Sequence, residues 1–190
     1  RTFDFPLTVI RIVEIINCLI IILFSISEFV KNYTHFEAET HRREDLVDNS
    51  FASLIAENRT EGYYTNDNLK SGLYKMGVNN FESCFFSYNI AKKELLCLWS
   101  KTIFISLLFI VIAVCRYDKL LIFVIQLSIP VVLLQQSIKH TLFVSRLKNV
   151  LCRYRTLFST LKKNNNKKYD SEIIRDVLEY EATIAWVMCY

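Results

Sequence analysis

A few polar side chains lie inside long apolar stretches of this sequence, where each needs a protein or water partner. Arg11, Glu14 and Asn17 follow one another at three-residue spacing in the first stretch, and Gln126 lies in a later one. Residues three apart share a helix face, and an ionisable group in hydrocarbon costs several kcal/mol. The spacing predicts a polar path through a membrane or a helix contact. For Gln126 the alternative is an interhelical hydrogen bond worth about 1 kcal/mol.

Pro130 follows Gln126 by four residues in the same apolar stretch. A proline ring removes the backbone hydrogen bond to the residue four positions earlier, which kinks a helix. We therefore predict a hinge at Pro130. A kink beside a glutamine suits a gate and equally suits a packing device, and both interpretations stay open.

Histidines and acids are concentrated between residues 35 and 44, where His35 and His41 stand among three glutamates. Their spacing matches no HExxH or paired metal-ligand pattern, so a solvated charged helix is the better interpretation. The sequence also has no Ser/His/Asp group and no phosphate-binding loop. We therefore expect no enzyme activity, no metal site and no cofactor.

The elements that carry these residues have the length and composition of membrane spans. Residues 95–115 and 120–137 form two strongly apolar runs, split by the polar segment 116–119. A membrane-spanning helix needs about 20 mostly apolar residues. The alternative is a pair of buried helices in a soluble protein, but 190 residues supply little protein to cover both. The segment 7–30 is a third candidate span, with the alternative that residues 1–14 lie at the interface.

The remaining chain is amphipathic and helical in pattern. Apolar residues recur in steps of three and four from Phe81 onward, and Gly77 to Asn80 predicts a helix end, with Asn80 capping the next helix. Seven Lys/Arg and no acid lie between Lys139 and Lys163, and five acids with one Arg follow at 170–181. We expect these two segments to fold back as an antiparallel pair. Burial of their apolar stripes supplies the energy, and opposite charges select the partner.

These observations predict an all-α integral membrane protein with one or more transmembrane hairpins and a cytoplasmic helical, coiled-coil body. Lys and Arg flank the hairpin, which places both flanks in the cytoplasm and the turn outside. The first span would then begin outside, which suggests one more membrane helix upstream. The expected parts are a first transmembrane helix (7–30), a cytoplasmic insert (31–94), the hairpin (95–137) and a cytoplasmic antiparallel pair (138–190).

The layout resembles the SMODS-associated four-transmembrane pore-forming effectors of bacterial, CBASS-type nucleotide-signalling defence. In that family a Gln-Arg-x-Asn…Trp-Asp type segment precedes the third membrane helix. Here the matching stretch, FESCFFSYNIAKKEL, carries only Tyr88 and Asn89 in a similar place. The closing stretch, IRDVLEYEATIAW, is similar to the family's last acidic helix through Asp176 and Tyr180. The resemblance identifies no ligand-binding residue.

The resemblance implies an effector that oligomerises and permeabilises or depolarises the membrane on a cytoplasmic nucleotide or partner signal. The alternative is a non-conducting sensor or scaffold subunit that acts through its coiled-coil tail. Expected partners are the lipid bilayer, further copies of the chain, and a cyclic nucleotide or signalling protein. The acidic segment partly neutralises the basic one, so no nucleic acid polymer is expected. The expected location is the cell membrane, multi-pass, with most of the soluble part cytoplasmic.

Overall fold

The computed structural model describes residues 7–57, 62–115, 120–162 and 169–188, and there it consists of helices and connecting segments without strands. The prediction of an all-α fold is confirmed. The four helices are α1 (Leu7–Phe51), α2 (Leu73–Cys115), α3 (Leu120–Leu161) and α4 (Asp170–Met188). The predicted turn at 116–119 and residues 163–168 lie outside the described residues.

α1 is a single helix of 45 residues, about 68 Å long at 1.5 Å per residue. No glycine or proline interrupts it, so the apolar segment continues directly into the charged one. It ends where Ala52 adopts a left-handed backbone conformation with φ +56°, which is a common way to terminate a helix. The Asp48 carboxylate then accepts the backbone N–H groups of Ile55 and Ala56 at 2.9–3.0 Å.

α2 begins at Leu73 and runs without a break to Cys115. The predicted helix end at Gly77 to Asn80 is therefore wrong, and Asn80 is an interior residue, not a cap. Packing explains why a glycine occupies position 77 inside the helix: a Cβ atom there would lie 2.9 Å from Cγ2 of Ile173 on α4. Glycine lets the backbones of α2 and α4 approach, and the neighbouring turns hold the helix together.

α3 continues through Pro130 as one helix of 42 residues. Its N-terminal half packs on α2, where the buried hydroxyls of Thr102 and Ser137 are 2.7 Å apart. One turn further along α3, the indole N–H of Trp99 donates to Thr141 Oγ1 at 3.0 Å. These hydroxyl and indole contacts fix the register of the two helices.

The apolar core lies where α2, α3 and α4 meet, away from the most apolar parts of the helices. Leu147, Leu151 and Tyr154 on α3 pack with Ile173 and Val177 on α4. α3 and α4 are antiparallel, because the Arg146 guanidinium stacks on the Trp186 ring while Arg153 pairs with Asp176. The apolar stripes from which we predicted that these two segments pair supply residues of this core.

The most apolar surfaces are exposed. On α1, every described side chain from residue 18 to residue 38 is exposed except the half-buried Glu28. α2 is the one helix of the described part that is long and apolar enough to cross a membrane, and 6% of its most apolar 18-residue window is buried. A helix that exposes apolar side chains on all sides suits a lipid environment better than water.

Candidate functional site

The predicted polar membrane positions are distributed over two helices. Arg11 lies on α1 with an exposed side chain, and Pro130 lies buried within α3. Glu14 and Asn17 belong to the same helix as Arg11, and Gln126 belongs to α3. Their side chains lie outside the described part, so their roles in a polar path stay predictions.

The strongest polar cluster joins all four helices, and we call it the four-helix junction. Its centre is Arg42 of α1, whose side chain is 9% exposed. The guanidinium donates to Glu39 at 2.8 Å and to Glu181 of α4 at 2.7 Å, and it lies over the Tyr180 ring at 5.4 Å. Arg43 donates to the same Glu181 oxygen at 3.0 Å. The four-helix junction consists of Glu39, Arg42, Arg43, Asn80, Ser87, Tyr154, Tyr180 and Glu181.

Asn80 connects the ion pairs to the other two helices. Its amide oxygen accepts the Tyr154 hydroxyl of α3 at 2.7 Å, and its amide N–H₂ donates to Glu181 at 3.3 Å. On the adjoining turns, Ser87 and Tyr180 share a hydrogen bond of 3.0 Å. A buried polar group without a partner is expensive, so this network tolerates little relative movement of the helices.

Burial controls the ionisation of the junction. Burial lowers the pKa of Arg42, but the hydrogen bond and charge of Glu181 more than offset it, so the net pKa is raised and Arg42 stays charged. Burial raises the pKa of Tyr154, and the charge of Asp176 adds to it. Burial also raises the pKa of Tyr180, against the opposing hydrogen bond of Ser87. Both phenols are therefore neutral at physiological pH.

A second polar chain holds the connection between α1 and α2. The Asn79 amide donates to Asn49 on α1 at 2.8 Å. Asn66 in the connecting segment donates to both Asn79 and Glu82, at 2.9 and 3.0 Å. The backbone N–H of Gly72 also donates to the carbonyl of Ser50 at 2.8 Å. The end of α1 and the beginning of α2 are thus fixed to each other.

The residues that carry the family resemblance have separate positions. Tyr180 belongs to the four-helix junction, while Asp176 is fully buried beside Arg153 and Arg175. Asn89 donates to the carbonyl of Phe85 in its own helix at 2.8 Å, and the Lys92 ammonium lies 5.9 Å from the Tyr88 ring centroid. The structure therefore does not bring these four residues into one site.

Sequence reasoning did not find the four-helix junction. Arg42 and Glu181 are 139 positions apart, and each lies in a stretch that resembles a solvated charged helix face. One signal was present: Asn79 and Asn80 are polar residues next to an apolar stripe, which is where interior hydrogen-bond partners occur. Within the described residues, no group of three His, Cys, Asp or Glu side chains is placed to hold a metal. No family model, curated protein or solved structure matches this chain.

Proposed function

We propose that this chain is a multi-pass membrane protein whose α1 and whose α2–α3 hairpin cross the bilayer. The exposed apolar surfaces of α1 and α2 support this placement, and the polar network at the other end of the same helices supports a cytoplasmic body. Crossing about 30 Å of hydrocarbon uses about 20 residues of each helix. The remaining length of α1, α2 and α3, together with α4, then forms that body.

Within this membrane placement, the protein is a non-enzymatic effector that oligomerises and permeabilises the membrane on a cytoplasmic nucleotide or partner signal. The observation that carries this proposal is Arg11, an exposed cation whose neighbours Ile12 and Ile15 on α1 are exposed and apolar. A cation at such a depth faces protein or water, not lipid. Several copies of α1 around water would satisfy that requirement.

The four-helix junction supplies a path from the cytoplasm to α1. Glu181 of α4 binds both Arg42 and Arg43 of α1, so a signal that displaces α4 would also displace the cytoplasmic end of α1. Because α1 is one continuous helix, that movement would reach Arg11. The rigid helix is the physical basis of the coupling.

Dye release from liposomes tests the proposal. The full chain is reconstituted, insertion is confirmed by flotation, and release is measured with and without a panel of cyclic nucleotides. Arg11→Leu and Glu14→Leu should insert normally and release dye at least about tenfold more slowly, because they remove the charges from the polar face. Arg155→Leu, which removes an exposed cation from the cytoplasmic part of α3, is the matched control and should release dye as the parent does. Unchanged release in the α1 variants would remove α1 from the pore.

A non-conducting sensor or scaffold is the second candidate function. The observation that favours it is the outer face of α4, where Ile174 and Leu178 expose apolar side chains one turn apart. Such a stripe suits contact with another helix. Liposomes that stay intact under every condition, together with a stable dimer that Leu178→Ser dissociates, would select this function over the first.

A further inference from the structure

The outward side of α4 carries a continuous stripe of apolar and small side chains. Ile174 and Leu178 are 43% and 62% exposed, and they lie one turn apart. The stripe, which we call the α4 stripe, continues in steps of three or four residues and consists of Ser171, Ile174, Leu178, Ala182 and Ala185. Because its other members are small, a second helix can approach this face closely.

Charges of opposite sign border the α4 stripe. Asp170 and Arg175 are five residues apart, which is about 140° around a helix of 3.6 residues per turn, so they lie on opposite edges of the stripe. Both side chains are exposed. Arg175 Nε and Nη2 donate to Asp176 at 3.2 Å. A guanidinium has five N–H donors, so Arg175 can also bind a second carboxylate.

This pattern fits a second copy of α4 in parallel orientation. In a parallel helix pair, a residue on one edge of a helix faces the opposite edge of its partner, five positions further along. Asp170 of each copy would therefore face Arg175 of the other copy, which gives two ion pairs. In an antiparallel pair equal edges meet, so these opposite charges would not face each other.

The proposed membrane placement requires the same orientation. α4 runs antiparallel to α3, since Arg146 contacts the end of α4 and Arg153 contacts its first half. Copies inserted in the same direction are related by rotation about an axis perpendicular to the membrane, so their α4 helices point the same way. Glu181, beside the stripe, does not repel a second copy, because Arg42 and Arg43 neutralise its charge.

We propose that the α4 stripe is the contact between neighbouring copies of this chain, with parallel α4 helices and Asp170–Arg175 ion pairs between them. The inference rests on the proposed function, which requires several copies, and it names the surface through which they associate. Burial of Ile174 and Leu178 supplies most of the energy, and the exposed ion pairs mainly select the orientation. Confinement to one membrane raises the effective concentration of the copies, so a small contact suffices.

Cysteine crosslinking in liposomes tests the orientation. The full chain is reconstituted at a high lipid-to-protein ratio, insertion is confirmed by flotation, and the buried Cys84 is the only native cysteine kept. Ser171→Cys and Ala185→Cys mark the two ends of the α4 stripe. On mild oxidation each variant alone should form a disulfide-linked dimer at least about fivefold faster than the control, because equal positions of a parallel pair come within disulfide distance. The control is Glu179→Cys, an exposed position on another face of α4.

Charge variants test the ion pairs, with crosslinking at position 185 as the readout. Asp170→Lys makes both edges positive and Arg175→Glu makes both negative, so each variant alone should crosslink at least about threefold more slowly. A mixture of the two should recover crosslinking as a heterodimer, because opposite charges face each other again. Leu178→Ser leaves the charge unchanged and should slow crosslinking about tenfold, because it removes apolar burial from both copies.

The outcomes separate this inference from the membrane placement. If the chain floats with the liposomes but positions 171 and 185 crosslink no faster than position 179, the α4 contact is wrong and the membrane placement stands. Crosslinking that appears only when Ser171→Cys and Ala185→Cys are mixed would show an antiparallel pair and overturn the proposal. A mixture of charge variants that does not recover would overturn the ion-pair assignment. A chain that does not float would overturn the membrane placement and this inference with it.

Discussion

At the residue scale, Glu181 joins three of the four described helices. It accepts hydrogen bonds from Arg42, Arg43 and Asn80, so one carboxylate links α4 to both α1 and α2. Removing one partner of a buried ion pair leaves the other charge unpaired, which is strongly destabilising. The same carboxylate on an exposed surface contributes little.

We therefore predict that Glu181→Gln lowers the free energy of unfolding by about 3 kcal/mol. Thermal unfolding in detergent, followed by circular dichroism, should show a Tm lower by about 6–12 °C for a chain of this size. Glu44→Gln is the control, because Glu44 is more exposed and its ion pair with His41 is 3.5 Å long. It should change stability by less than about 1 kcal/mol. Equal effects of the two variants would mean that the junction is not a buried ion-pair network.

The buried thiol of Cys84 gives a prediction for alkaline pH. Burial raises the pKa of Cys84 from 9.0 to about 12. Below pH 9 the thiol keeps its proton in both states, so this group adds no pH dependence to stability. Between pH 9 and 12 only the unfolded chain loses the proton, which favours unfolding. Stability should therefore fall across this window.

Chemical unfolding measured between pH 7 and 11.5 tests the assignment to Cys84. Cys84→Ala should show a smaller decline from pH 9 upward, although its stability at pH 7 is lower because of the cavity. Burial also raises the pKa of Tyr64 from 10.0 to about 12 and raises the pKa of Tyr154 and Tyr180, so part of the decline should remain in the variant above pH 10. A decline of the same size in both proteins would exclude Cys84 as its source.

At the element scale, the close approach of α2 and α4 depends on Gly77. An alanine there gains about 1 kcal/mol of helix propensity, but its Cβ would lie 2.9 Å from Ile173 Cγ2, on a β-branched side chain with little freedom to move. Overpacking of this kind costs about 1–3 kcal/mol. We expect Gly77→Ala to destabilise the chain by about 1 kcal/mol net.

A double-mutant cycle separates the clash from the propensity. In an Ile173→Ala background the obstructing methyl groups are absent, so Gly77→Ala should become stabilising by roughly the helix-propensity difference of about 1 kcal/mol. Urea unfolding of the four proteins measures the coupling. Destabilisation of similar size in both backgrounds would show that Gly77 is required for a reason other than contact with Ile173.

Gly77 also shows which part of the fold is accessible from sequence. The helical type of every element follows from stripes and apolar lengths, because these patterns are local and repeat over many residues. The helix end predicted at Gly77 to Asn80 is wrong because a glycine followed by asparagines has the same local pattern in a helix terminus and in a tight helix crossing. Only the presence of Ile173, 96 positions further along the sequence, distinguishes the two.

At the scale of the whole molecule, the charge patterns predicted attraction between the basic and acidic segments, and Arg153 indeed pairs with Asp176 and Glu179. They did not predict that α1 joins the same body through Arg42 and Arg43. Those arginines stand among acids in their own segment, so a prediction from neighbouring residues alone pairs them with those acids. A contact between distant charged segments becomes predictable only when their relative positions are known.

The four-helix junction limits which parts of the chain can lie on opposite sides of a membrane. Arg42 of α1, Asn80 of α2, Tyr154 of α3 and Glu181 of α4 are in direct contact, so these parts of all four helices must lie on one side of any membrane that the chain crosses. The segment between α2 and α3 is separated from the junction by the full apolar length of both helices. It should lie on the other side.

Labelling with a membrane-impermeant maleimide tests this arrangement in oriented vesicles. In a background in which the other five cysteines are alanine, the exposed native Cys152 on α3 and a cysteine placed by Leu54→Cys beyond α1 should react from the same, cytoplasmic side. Tyr117→Cys, in the predicted turn at 116–119, should react only from the opposite side. Detergent-opened vesicles, in which all three sites should react, control for access. Reaction of position 54 and Cys152 from opposite sides would be incompatible with the junction, and reaction of position 117 from the cytoplasmic side would exclude a hairpin that crosses the bilayer.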